Sequence, residues 1–320
     1  MKRTEFAFGV SAAAAAAVVP RPSSAQTRQT ISVMAVPNDD ITPLLYAQQS
    51  GLFRRAGLDV SMERASQGAA IAEAVISGSI DVGLISLMSL LTGHAHGLPF
   101  VMIAPSLLYL ASDPPSVLVV AKDSPYHSIR DLNGKVLSVS AIRSVDWVAL
   151  HGYAEQFGAD AETFKYVELP MSAIPAALTA HRIDAGTLGN PNLDEAMATG
   201  NFRAIGAPLD GIAKRWMIAA WTTTTDYLNK NRDAIGRFAA AMHTATVYAN
   251  THRTETAPLI AAYTGIDPAQ ALAMKRTTCG EYLDPRDIQP AIEAAAKYKV
   301  IDRSFPAQEL ISPYASKPPR

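Results

Sequence analysis

The sequence predicts an α/β fold made of two related lobes with a cleft between them. Two observations lead to that expectation. Gly78-Ser79-Ile80-Asp81-Val82-Gly83-Leu84-Ile85 is echoed by His181-Arg182-Ile183-Asp184-Ala185-Gly186-Thr187-Leu188 at an offset of 103 positions, and at the same offset Ile71 matches Ile174, Ala74 matches Ala177, and Ile103-Ala104-Pro105 matches Gly206-Ala207-Pro208. Short β-rich runs also alternate with segments of helical periodicity, the pattern of a sheet whose strands are joined by helices.

Residues 1–25 read as an export signal. Lys2 and Arg3 precede an apolar, alanine-rich stretch from Phe6 to Val19, and Ser23-Ser24-Ala25 offers small residues for cleavage after Ala25, leaving a chain that begins near Gln26. Lys2-Arg3 followed by Phe6 loosely resembles a twin-arginine-route signal. The stretch is too short to span a bilayer, which takes about 18 or more apolar residues, and no later segment reaches that length. The expectation is a soluble, exported protein.

Composition narrows the partners. The 320 residues suit one large domain or two ordinary lobes, and 48% hydrophobic residues supply a sizeable core. With 28 Lys plus Arg against 29 Asp plus Glu, no global charge draws the chain to nucleic acid or to an anionic membrane surface. Partners are to be sought in local sites. The single cysteine, Cys279, excludes an intramolecular disulfide, a multi-cysteine metal knuckle and a cysteine-held iron–sulfur cluster.

Ile31 to Val36 is the first expected strand. Asn38-Asp39-Asp40 breaks it, Thr42 and Pro43 are read as N-cap and first position of a helix, and Gly51 as its end. Leu58 to Met62 is the second strand. It leads through Ser66-Gln67-Gly68 into a helix with Ile71, Ala74, Val75 and Gly78 on one face, and the echo segment follows as a third strand. After an extended run, Ser116 to Ala121, the plan repeats. Lys135 to Val139 is a strand, Val145 to Phe157 a helix closed by Gly158, and Phe164 to Glu168 a strand. Ser172 is read as the cap of the next helix and Ile183 to Leu188 as the third strand. Arg203 to about Thr222 has the character of a return crossing. Beyond it Ile235, Phe238, Met242, Ala245 and Ala249 form an apolar helix face, and the Pro-rich tail from Ser312 to Arg320 is expected to be loosely ordered.

The order of these landmarks resembles a known family. The first strand, Leu44-Leu45-Tyr46-Ala47 running to Gly51-Leu52-Phe53, Gly57-Leu58-Asp59-Val60, and Gly78 to Gly83 are similar to the periplasmic solute-binding proteins of ABC importers, in the nitrate, sulfonate, taurine and thiamine-precursor group. Ala121-Lys122-Asp123-Ser124-Pro125, Ile129 to Val136 and Ile183-Asp184-Ala185 extend the resemblance over most of the chain. It implies an α/β, type II periplasmic-binding-protein fold, with two doubly wound lobes around a ligand cleft and crossovers near Leu108 to Pro115 and Gly211 to Met217. Residues 26–110 and 215–320 would form lobe I and residues 111–214 lobe II. The implied partners are a small-molecule ligand and an inner-membrane ABC permease with its ATPase; no nucleic acid is implied, and a periplasmic monomer is expected.

Open parallel sheets bind ligands beyond the carboxyl ends of their strands. In the first lobe those turns hold Asn38 to Thr42, Ser66-Gln67-Gly68 and Ser86; in the second, Ala141 to Trp147, Pro170 to Ser172 and Gly189 to Asn192. Asn38, Asp39 and Asp40 favour an amine, an amidine-like heterocycle or a cation, although such residues also make turns and caps. Thr42 follows them in the same turn. Arg143 and Ser144, with Asp146 and Trp147, offer a fork for a carboxylate beside an aromatic surface, against the plainer readings of a core Trp147 and an Asp146 that favours the helix start. Ser66 and Gln67 supply donors and acceptors, and Gly68 permits close backbone approach. Asn190 and Asn192 are further polar candidates, and Trp221, near the second crossover, is a candidate cover for the closed cleft or a packed core aromatic.

Catalytic signatures are lacking. No nucleophile elbow, phosphate loop or dinucleotide fingerprint is present, and His94 and His96 have no third ligand nearby in sequence, so neither metal nor cofactor is expected. Some enzymes share the resembled fold, but the cysteine-rich motif of its thiamine-pyrimidine synthase is absent. The resemblance therefore implies a non-enzymatic receptor; Asp39, Asp40 and Trp147 give a small preference for a planar nitrogen heterocycle or other aromatic as its ligand, with sulfonate, taurine, nitrate and aromatic carboxylate as competitors. An enzyme on the same fold and a periplasmic sensory module are the alternatives.

Overall fold

The structure, a computed structural model, describes Met1 and residues 28–65, 68–190 and 192–318. The signal read at residues 1–25, Met1 apart, and the turn residues Ser66 and Gln67 lie outside these. The strands are β1 (Gln29–Ala35), β2 (Leu58–Arg64), β3 (Val82–Ser86), β4 (Phe100–Pro105), β5 (Leu108–Leu110), β6 (Ser116–Ala121), β7 (Val136–Val139), β8 (Lys165–Glu168), β9 (Ala185–Gly189), β10 (Phe202–Gly206), β11 (Arg215–Met217) and β12 (Ala219–Thr224). Between and after them run α1 (Thr42–Gln49), α2 (Leu52–Arg55), α3 (Gly68–Ser77), α4 (Leu87–Ala95), α5 (Val145–Phe157), α6 (Ile174–Thr179), α7 (Asn192–Ala198), α8 (Thr225–Lys230), α9 (Arg232–Thr251), α10 (Arg253–Thr264), α11 (Pro268–Ala273) and α12 (Pro285–Lys297).

Two five-stranded sheets share one topology. The first has the order β2-β1-β3-β12-β4 and the second, read from its far edge, β8-β7-β9-β6-β10. In each, three strands are parallel and the fourth position is antiparallel, filled by β12 in one sheet and β6 in the other. These two strands enter from a short antiparallel ribbon, β5 with β11, in which Tyr109 faces Trp216.

The echoed aspartates explain the match between the sheets. Asp81 stands just before β3, and its Oδ2 accepts hydrogen bonds from Ser32 N (2.7 Å) and Ser32 Oγ (2.9 Å) of neighbouring β1. Asp184 stands just before β9; its Oδ2 accepts from Val136 N (2.8 Å) of neighbouring β7, and its Oδ1 from Tyr126 Oη (3.0 Å). Both carboxylates hold a parallel neighbour one residue before its pairing begins, at Val33↔Val82 and Leu137↔Ala185. Three residues upstream, His181 adopts the left-handed backbone (φ 52°) that Gly78 (φ 74°) adopts in the first copy.

Helices cover both faces of each sheet. Ile235, Phe238, Met242 and Ala245 of α9 pack with Ile31, Val33 and Val101, as the helical spacing requires. The other face of the first sheet belongs to a larger core that continues through Tyr109, Trp216 and Met217 of the ribbon to Val148 and Ala149 of α5 and to Leu209. Where α5 meets the turn at Pro208–Gly211, a Cβ on Gly152 would lie 2.1 Å from the Gly211 carbonyl oxygen, so only glycine fits. Tyr109 Oη donates to Asp210 (2.7 Å) and Trp216 Nε1 to the Leu209 carbonyl (3.1 Å).

Three local expectations change. A 3₁₀ turn at Asp39–Ile41 already begins the first helix, so Thr42 is helical and its side chain caps nothing. Ser172 lies inside a 3₁₀ turn, Met171–Ala173, and makes no cap bond; Pro175, with no N–H to satisfy, supports the start of α6. The tail is held well past Ser312, because Ser312 N donates to Met102 O (2.9 Å), Leu283 N to Ser316 O (3.3 Å), and Ala315 is buried.

Replacing Asp184 with Ala strips acceptors from Val136 N and Tyr126 Oη. Denaturant titration is expected to show a loss of about 2 kcal/mol; Asp81→Ala is expected to behave alike, and an unchanged midpoint in both variants contradicts the strand-holding role.

Candidate functional site

The carboxyl ends of β1, β2 and β3 and of β7, β8 and β9 carry the turns expected to form the binding edges. Asn38 is exposed and opens the first turn, in which its carbonyl accepts from Ile41 N. The next two residues diverge. Asp39 is committed within the protein: Oδ1 accepts from Arg276 Nε (2.6 Å) and Thr42 Oγ1 (3.1 Å), and Oδ2 from Thr277 N (2.7 Å) and Thr277 Oγ1 (3.0 Å). Arg276, 8% exposed, also donates to Thr42 Oγ1 (2.9 Å) and Arg253 O (2.9 Å). A buried guanidinium needs such a counter-charge, and that need removes Asp39 and Thr42 from the set of free ligand contacts.

Asp40 is 7% exposed, and its Oδ1 is buried without a partner. Burial, and then the negative charge of Asp39, push its carboxyl up to about 7. Its backbone carbonyl accepts from Ser106 Oγ (3.2 Å) and lies 3.7 Å from Cys279 Sγ. Burial pushes the Cys279 thiol well up, with the carboxylates of Asp40 and Asp39 adding to it, so the reactive thiolate is disfavoured.

Gly68 begins α3 with open space around it. Ser86 caps α4, its Oγ accepting from Ser89 N (3.3 Å). In the second lobe the turn after β7 is held by two acids. Asp146 accepts from Ser140 N (2.6 Å), Ser140 Oγ (2.7 Å) and Ser144 Oγ, and Glu168 from Ile142 N (2.8 Å). Between them Arg143 is exposed with φ 66°, a left-handed conformation uncommon outside glycine. Trp147 is half-buried against His151, ring centroids 3.8 Å apart, with Tyr166 at 6.2 Å. Asn190 bridges the lobes: Nδ2 donates to Lys275 O (3.4 Å), while Oδ1 accepts from Asp194 N (3.2 Å). Asn192 is the first residue of α7.

Trp221 leaves the candidate set. It is 0% exposed on β12, a central strand covered on both faces, and meets Phe238 edge-on at 6.5 Å. The structure adds groups that sequence reasoning missed. Arg276 and Thr277 carry no motif. His151, four residues after Trp147, had a usable signal in its helical spacing.

Two α/β lobes joined by a ribbon, with polar turns at the carboxyl edges of both sheets, define a two-lobed binding-protein fold. The aliphatic sulphonate-binding protein SsuA of Escherichia coli superposes with a TM-score of 0.73 at 18% identity, over 88% of this chain and 97% of that one. The nitrate-binding protein NrtA of Synechocystis gives 0.67 at 13% identity, over 88% and 84%. The chain belongs to the NMT1/THI5-like family, whose model matches residues 38–256. Among curated proteins, a 4-amino-5-hydroxymethyl-2-methylpyrimidine phosphate synthase of Legionella pneumophila is 26% identical over 164 residues, 51% of this chain; the match spans about half of that relative, 50% of its length. No helix among the described residues is long and apolar enough to cross a membrane.

The raised Asp40 carboxyl fixes the sign of a pH effect. The folded state keeps a proton that the unfolded state releases near pH 4, so stability falls as pH rises from about 4 to about 7 and levels off above. Asp40→Asn removes this cost. Its gain in Tm over the parent is expected to be clear at pH 8 and to shrink toward pH 4; an equal gain at both contradicts a buried, proton-holding carboxyl.

Proposed function

We propose that the protein is the exported receptor of an ABC import system and closes two lobes, residues 26–110 with 215–320 and residues 111–214, around a small organic solute. The observation that carries this reading is the turn after β7. It presents an exposed Arg143, held in a left-handed backbone, four residues before the half-buried Trp147 in the first turn of α5 with His151 at 3.8 Å, and in the turn after β9 Asn190 already bonds across to Lys275. A planar ring stacked at Trp147 and an acidic group paired with Arg143 suit an aromatic or nitrogen-heterocyclic solute. With Asp39 neutralised by Arg276 and Asp40 buried and proton-holding, the first turn offers the solute the exposed amide of Asn38.

Closure stores no chemistry in this reading; ligand contacts to both lobes favour the closed population, and a permease with its ATPase takes the solute from it. The signal-like Lys2-Arg3, the apolar stretch after it and Ser23-Ser24-Ala25 support delivery to the periplasm. A second reading, pyrimidine-forming chemistry in the same cleft, draws on the name of the Legionella relative. Against it, the single thiol is buried and held protonated.

Ligand capture from a metabolite mixture, followed by mass analysis, separates the two. Recovery of an unaltered compound supports the receptor, and sustained turnover overturns it. Arg143→Ala and Trp147→Ala are each expected to weaken binding of the recovered compound by about tenfold or more; full affinity in both removes the second-lobe site.

A further inference from the structure

The end of the first sheet away from the binding edge carries a charged feature that the cleft does not use. β1 and β2 run parallel from Gln29 and Leu58, so Arg28 and Gly57, just before them, mark the opposite edge from the turns after Ala35 and Arg64. At about 3.3 Å per residue the two edges are roughly 20 Å apart. A hollow of 470 Å³ opens there, and Arg28, Arg54, Arg55, Gly57, Asp233 and Arg237 line it.

Four guanidinium groups face one carboxylate. Asp233 Oδ2 lies 3.0 Å from Arg237 Nε, and its side chain is largely exposed. Among the described residues no carboxylate lies within ion-pair distance of Arg28, Arg54 or Arg55. The fold nevertheless gathers these groups. Arg55 Nη1 donates to the Ser50 carbonyl (2.9 Å) and Arg237 Nη1 to the Ala56 carbonyl. Two glycines with left-handed backbone make room: a Cβ on Gly51 would stand 3.2 Å from Arg54 Nη2 and 3.4 Å from Arg55 Nη1, and one on Gly57 only 2.7 Å from Arg237 Nη1. The uncompensated positive charge is concentrated in one concave place on a chain whose overall charge is near neutral. Guanidinium forks match the oxygens of a tetrahedral anion two at a time, and a bound anion would relieve their mutual repulsion.

We propose that this hollow is a second binding site, separate from the cleft, for a phosphate group, carried either by free phosphate or by the head group of a phospholipid. It does not depend on what the cleft holds.

The test compares the full protein with Arg54→Gln/Arg55→Gln and with a control, Lys299→Gln/Arg303→Gln, that removes the same charge from exposed positions elsewhere. Inorganic phosphate is titrated by calorimetry at low ionic strength, and co-sedimentation is measured with phosphatidylglycerol and with phosphatidylcholine vesicles. The arginine pair is expected to bind about tenfold more weakly while the control keeps its affinity. Saturable uptake of inorganic phosphate identifies the free anion, and binding confined to phosphatidylglycerol vesicles identifies the head group. A parent protein that binds neither probe, or a loss in the arginine pair no greater than in the control, overturns the site. Both substituted pairs are exposed, so unchanged Tm values accompany a valid comparison.

Discussion

A carboxylate at the foot of the third strand sets the geometry on which both lobes depend. Asp81 and Asp184 each reach sideways to a backbone N–H of the neighbouring parallel strand, fixing where pairing begins. Parallel strands slip in steps that turn every side chain to the other face, so a strong local bond at the first residue protects the register of the whole sheet. With register fixed at the amino ends, the carboxyl ends come level. The turns at Asn38, Ser86, Arg143 and Asn190 therefore line up along edges, where scattered loops could not form a site.

The lobes are joined by more than a pair of linkers. The β5–β11 ribbon sits within an apolar core that runs from Ile288 and Ile292 of α12 through Trp216 to Val148 of α5. Beside it, Glu155 of α5 accepts from Lys297 (2.6 Å) and Tyr298 (2.7 Å) next to the end of α12. Elsewhere the contacts between lobes are exposed and polar, as in Gln270 with Glu195 (3.1 Å) and Lys275 with Asp113 (2.7 Å). Exposed pairs of this kind separate at little cost, whereas parting the apolar core would expose large side chains to water. Any relative motion is consequently guided to keep the core intact and exchange the polar contacts.

Much of this architecture was legible in the chain itself. The offset of the two Ile-Asp pairs, Ile80-Asp81 and Ile183-Asp184, marked equivalent strands because the same local bond demands the same residue in both copies. Gly158 ended α5 and the spacing of Phe238 and Met242 marked a buried face, both being local effects. The ion pair of Asp39 was not legible, for the opposite reason. Its partner Arg276 lies 237 positions away and carries no pattern of its own, so nothing nearby showed that the carboxylate was already neutralised. Trp221 beside a crossover read equally as cover or core; only the placement of β12 between β3 and β4 decides for core. Ser172 failed as a cap because an extra 3₁₀ turn shifted the helix start.

The turn that holds Arg143 has a thermodynamic consequence for capture. Its backbone is constrained by Ser140, Ile142 and Ser144 bonding to Asp146 and Glu168, groups that all belong to the protein. The loss of chain freedom at this turn, about 1–2 kcal/mol per residue, is thus incurred once, during folding. In the proposed second-lobe site, a solute would have only the Arg143 side chain of this turn left to immobilise, and the entropy charged to each encounter would be correspondingly small.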